Sequence, residues 1–173
     1  MKQSQIYEEQ LKALEEEDRK LKDSFKKPHQ EDPNMRWFDT YYRNGGRENS
    51  EKMEELKFCI AREKNREIEV GDGVTICLWS DRHAGTVVKR TKTTLTVQRD
   101  RAIRDPNFKP EWIPGGFSAI CTNSEEQSYT YERDPKGEIY VCHWSEKRGR
   151  FQNGSDGSIR VARGRHEYYD YNF

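Results

Sequence analysis

The spacing of apolar residues along this chain changes once. Up to about residue 67 they recur every three or four positions, and from Ile68 onward every second position. A chain with one such switch builds helices first and a sheet afterwards, so the expected class is α+β. The expected division is a helical region over 1–67 and a β-barrel domain over 68–173.

The clearest strand signal lies between Val70 and Arg99. A Gly71-Asp72-Gly73 turn opens into Val74, Ile76 and Leu78, which alternate with Thr75, Cys77 and Trp79. Alternation places the first set on a core face and the second in solvent. A second β-rich run covers His83 to Lys89; after a turn at Arg90–Lys92, a third covers Thr93 to Gln98. Short Thr- and Val-rich strands joined by tight polar turns read as the start of a small, bent antiparallel barrel. Further strands are expected at 117–121, 128–132, 138–144 and 158–162, with Asp134-Pro135-Lys136-Gly137 as a turn.

In the helical region, Tyr7, Leu11, Leu14, Asp18, Leu21 and Phe25 form a heptad seam over 4–27, and Pro28 is expected to end it. The acid in the seam disfavours a two-chain core, so the helix is expected to pack on the chain's own later helices. A homodimer through residues 4–27 is the alternative. Asp32-Pro33 reads as the start of a second helix carrying Met35, Trp37, Phe38, Tyr41 and Tyr42, with Gly45-Gly46 as its stop. A third helix, capped by Asn49 or Ser50, is expected to reach Asn65 with Met53, Leu56, Phe58 and Ile60 inward.

Net charge is zero, so bulk electrostatics select no partner, but the charge is unevenly placed. Arg82 to Arg104 holds seven Lys and Arg against the single Asp100, whereas Asp105 to Val141 holds seven acids against three bases. The candidate binding residues are Lys89, Arg90, Lys92, Arg99, Arg101 and Arg104, with Trp112 among them. Cations attract phosphate whatever the sequence, and flat rings stack on unpaired bases. The proline-punctuated segment over 104–117 is expected to be a functional loop or flap.

Enzyme-like patterns are thinner. His83 and His166 are close enough to Cys142-His143 in a closed barrel to suggest a metal site, but Cys142 and His143 would point to opposite faces of a strand and do not easily share one metal. Asp81, His83, Asp134 and Glu138 suit a metal-dependent nuclease in type, but not in spacing. No nucleophile elbow or phosphate-cradling loop is present. No catalytic residue, metal ligand or cofactor is assigned. Cys59, Cys77, Cys121 and Cys142 form no Cys-x-x-Cys pair, and no apolar run is long enough to span a membrane. Reduced thiols in a cytoplasmic protein, without a secretory leader, are expected.

The stretch from Val70 to Arg99 resembles the SH3-like small barrels of the Tudor and KOW type, in which a Gly-Asp turn precedes the first long strand. The chain from MRWFDTYYRNGGR through that segment to IPGGF and GRHEYYDYNF resembles small accessory proteins of phages and mobile elements of Gram-positive bacteria. That resemblance carries no catalytic residues. By association it implies inhibition of host defence, including CRISPR nucleases. The expected function is non-catalytic binding of nucleic acid or of a host enzyme that handles it; the alternative is a metal-dependent nuclease.

Overall fold

A computed structural model describes residues 2–31, 36–115, 118–154 and 157–172. The chain forms two compact units, Met1–Lys64 and Asn65–Phe173.

The first unit is helical. Helix α1 (Gln3–Glu31) runs past Pro28, where the sequence predicted its end. A proline removes one hydrogen bond and crowds the carbonyl four residues back, a cost confined here to the last turn of a long helix. The Asp32-Pro33 cap lies outside the described residues. Helix α2 (Trp37–Tyr41) continues through a wide turn, Tyr42–Gly46, into α3 (Arg47–Arg66). The stop at Gly45-Gly46 is therefore a kink between two helices. Gly45 takes φ 114°, a backbone state that residues with a side chain rarely adopt, and a Cβ on Gly46 would collide with the Tyr41 ring.

Asp18 explains the polar break in the seam. Its carboxylate is buried and accepts hydrogen bonds from Tyr41 Oη at 2.6 Å and Asn49 Nδ2 at 3.2 Å, with Lys22 Nζ at 2.8 Å. One acid thus ties α1 to α2 and α3. Asn49, expected as a cap, instead serves this cluster from inside α3, which begins two residues earlier than predicted. Phe25 and Trp37 pack around Tyr41, while Ile60 is buried and Phe58 is exposed rather than inward.

The second unit is a closed antiparallel barrel of six strands in the order β1-β10-β9-β8-β3-β2. The strands are β1 (Gly73–Cys77), β2 (Arg82–Arg90), β3 (Thr94–Arg99), β8 (Ile139–Ser145), β9 (Arg150–Asn153) and β10 (Ile159–Arg163). Ile68, Val74, Ile76, Val87, Leu95, Val97, Tyr140, Cys142, Phe151 and Val161 fill its interior. The alternation expected for β1 gives way to burial on both faces. Thr75 and Cys77 are also buried, and Thr75 Oγ1 donates to Gly164 O at 2.6 Å. Strand β9 sits among glycine turns where no strand was expected.

Between β3 and β8 the chain makes an excursion with two ladders of its own. One joins β4 (Arg101–Arg104) to β7 (Tyr129–Glu132); the other joins β5 (Trp112–Pro114) to β6 (Ala119–Cys121). Strand β4 ends where the proline segment begins and β5 lies within it, closing on Pro114; neither carries an alternation signal. Where the chain leaves the barrel, Asp100 is buried and accepts from Thr86 Oγ1 at 2.8 Å and Arg165 Nε at 2.7 Å. The one acid of the basic run is thus an internal anchor. The expected turn at 134–137 is present, with Gly137 N–H on Asp134 O at 2.9 Å.

Removing the Asp18 acceptor leaves a buried hydroxyl and amide unpaired. Asp18→Ala is expected to cost the helical unit about 1–3 kcal/mol in urea unfolding followed by helical circular dichroism. Burial alone would raise the Asp18 pKa, but the bonds from Lys22, Tyr41 and Asn49 outweigh it and hold it below 3.8. Its contribution is therefore complete at neutral pH and is lost as the pH falls below about 3.8, a loss absent from the variant.

Candidate functional site

After Gly164 the chain forms no strand, yet its backbone polar groups must still find partners. Side chains supply most of them. Arg82 and Tyr168 exchange backbone hydrogen bonds at 2.9 Å. The buried Gln127 amide donates to Tyr169 O at 3.0 Å and accepts from Tyr169 N–H at 2.9 Å, acting as a strand partner would. Asp81 Oδ1 accepts the Asp170 N–H at 2.9 Å, and Arg104 Nη1 donates to Tyr171 Oη at 2.8 Å. The Asn172 amide brackets the Cys121 backbone at 2.7 and 3.2 Å. Five consecutive residues are tied to the excursion or to β2 and the turn before it.

This stitching builds a cleft of about 490 Å³ at one end of the barrel. Tyr129, Tyr168, Tyr169 and Tyr171 line it, with Arg99 and Arg104. Arg104 and Tyr129 are cross-strand neighbours on β4 and β7, and Tyr171 meets Tyr169 edge-on at 4.9 Å. Outside, Phe108 and Trp112 pack on Tyr171 at 6.2 and 6.0 Å, with Trp112 half exposed.

His83 and Glu167 also line the cleft. Glu167 is buried; its Oε2 accepts the Ala84 N–H at 2.7 Å, and its Oε1 lies 3.0 Å from His83 Nδ1 and 3.4 Å from Arg99 Nη2. Burial would raise the Glu167 pKa, but bonds from His83 and Ala84 and the charges of His83 and Arg99 hold it below 4.5.

The basic residues named from the sequence do not form one patch. Arg99, Arg104 and Trp112 belong to the cleft or its rim, and Arg101 is exposed on β4 opposite Glu132. Lys89 and Arg90 lie at the other end of β2 and Lys92 in the turn beyond it; Arg90 is seven residues from His83, or roughly 23 Å at strand rise. There Arg90 is committed internally, donating to Ile68 O at 2.8 Å and Arg66 O at 3.1 Å with its guanidinium over Phe151. Lys89 and Lys92 are exposed.

The nuclease candidates are also apart. Asp81 holds the Asp170 N–H, His83 faces Glu167, Asp134 accepts Lys136 N–H at 2.9 Å, and Glu138 accepts from Tyr140 Oη at 2.5 Å. No group of three metal-ligating side chains converges among the described residues. Cys142 faces the core, where burial pushes its thiol up to about 11, while His143 is exposed. All four cysteines are free, and no described helix is long and apolar enough to cross a membrane.

Glu167 and Tyr129 were not singled out from the sequence, and Tyr168, Tyr169 and Tyr171 were legible there only as an aromatic tail that could meet a protein partner. The signal available was the aromatic density of EYYDYNF, which marks a segment that packs without saying where. Glu167→Ala is expected to lower barrel stability by about 1–3 kcal/mol in urea, because it strands the Ala84 N–H beneath the cleft.

Against family models, curated proteins and solved structures, the chain finds no match. What the cleft can hold therefore follows from its own chemistry.

Proposed function

We propose that this protein is a non-catalytic binder of single-stranded nucleic acid, taking unpaired nucleotides in the tyrosine-lined cleft. The observation that carries the reading is the joint placement of Arg104, Tyr129 and Tyr171 in the cleft with Trp112 packed on Tyr171 at its rim, one cation among flat rings. Arginine neutralises phosphate, and rings accept any base that exposes a face, which a duplex does not offer. A cleft of this size suits a small ligand or a few nucleotides rather than a helix.

A second reading has its own support. On the β5–β6 hairpin, Ile113 and Ile120 face each other across the ladder and are 50% and 44% exposed, beside Trp112. With the acidic excursion around it, this apolar tip suits a basic partner protein, such as a host enzyme that handles nucleic acid. The barrel as an SH3-like type, the origin in a phage or mobile element, and the role as an anti-CRISPR-type inhibitor rest on the sequence resemblance. A metal-dependent nuclease is the alternative from another class.

Fluorescence anisotropy with labelled DNA and RNA, single- and double-stranded, over a salt series tests the reading. Single strands are expected to bind with a log–log salt slope of roughly −0.7 per phosphate neutralised. Arg104→Ala should reduce that slope by about one, and Trp112→Ala should weaken single strands by about 5- to 150-fold. Lys92→Ala, at the opposite end, should change neither. No binding at low salt would overturn the proposal. Mg²⁺-dependent cleavage abolished by Asp81→Ala or Glu138→Ala would establish the nuclease instead.

A further inference from the structure

Trp79 is 87% exposed, the most exposed large apolar side chain among the described residues. A lone exposed apolar residue is ordinary, but the backbone beneath this one is braced. The turn over 78–81 closes with Leu78 N–H on Asp81 O at 3.0 Å. The Arg82 guanidinium then spans it from below, with Nη1 2.8 Å from Asp81 O, 3.1 Å from Ser80 O and 3.5 Å from Leu78 O. Leu78 packs against the barrel core, while the next side chain, Trp79, is left in water.

The same turn is fastened to the cleft wall. Arg82 pairs with Tyr168, and Asp81 holds the N–H of Asp170, the residue between Tyr169 and Tyr171. Trp79 therefore stands on a fixed backbone next to the segment that supplies three cleft tyrosines. An aromatic presented on an already ordered turn contributes to binding with little backbone ordering cost.

Resting on the nucleic-acid reading above, we infer that Trp79 is a second stacking station, outside the cleft, for a further base of the same strand. The cation of its turn, Arg82, is half-buried and directs Nη1 inward to three carbonyls, and Asp81 and Asp170 beside it are acidic, so the ring is the group the turn presents. The contact is made by the ring alone. Trp79 thus adds affinity without salt dependence, and only for strands long enough to reach from the cleft to the turn.

The test uses the full chain with Trp79→Ala, Trp79→Phe and Trp112→Ala, and labelled oligothymidylates of increasing length from the dinucleotide. Trp79→Ala is expected to weaken the longer strands by about 5- to 150-fold at an unchanged salt slope, and to leave the dinucleotide unaffected. Trp79→Phe should retain most of the affinity, and thermal melting should match the parent. Full affinity of Trp79→Ala at every length, with Trp112→Ala weakened, overturns this inference and leaves the cleft reading standing. An equal loss on the dinucleotide places Trp79 within the cleft and overturns the two-station arrangement. No binding of any strand by the parent protein overturns both readings together.

Discussion

Three buried carboxylates join what a small apolar core cannot. With 32% hydrophobic residues against 36% charged, the chain lacks enough apolar side chains to hold each junction by burial alone. Asp18 gathers three helices; Asp100 joins Thr86 of β2 to Arg165 after β10; Glu167 joins the final segment to β2 and Arg99 of β3. An isolated buried carboxylate is too costly to persist. Asp18 and Glu167 each have three side-chain or backbone donors around them and Asp100 has two, which offsets the desolvation and fixes direction as apolar contact does not.

The same side-chain logic shapes the cleft. Its walls are set by Gln127 and Asn172, whose amides replace missing strand partners. Tyr168 and Tyr169 are held through their backbone, while the hydroxyls of Tyr129 and Tyr168 donate to Gln127 Oε1 and Glu125 Oε1, and that of Tyr171 accepts from Arg104 Nη1.

Much of the fold was legible because periodicity is a local property. Strands β1 to β3, the turn at 134–137 and the intramolecular role of the α1 seam follow from spacing and from one misplaced acid. The remainder depended on partners far away in sequence. Buried Thr75 has its hydroxyl satisfied by donating to Gly164 O, 89 residues on. The basic run looked continuous between Lys89 and Arg104, but β2 and β3 run antiparallel and their far ends lie a strand length apart. Tyr171 could be seen as an aromatic that must pack, whereas its pairing with Arg104 across 67 residues could not.

The excursion between β3 and β8 bears on how the barrel forms in time. Gln98 and Ile139 are register partners, yet the 40 residues 99–138 separate them. Loop-closure entropy grows slowly with length, by about 0.6 kcal/mol per doubling, so the finished barrel carries this segment at small thermodynamic cost. The folding rate is more sensitive, because such non-local pairing must wait for a long chain to close. The β4–β7 ladder begins where β3 ends and pairs Arg101 with Glu132, leaving only a short link to β8. Formed early, it acts as a zipper that shortens the search. The wall of the cleft is then also the step that brings the barrel's last two edges together.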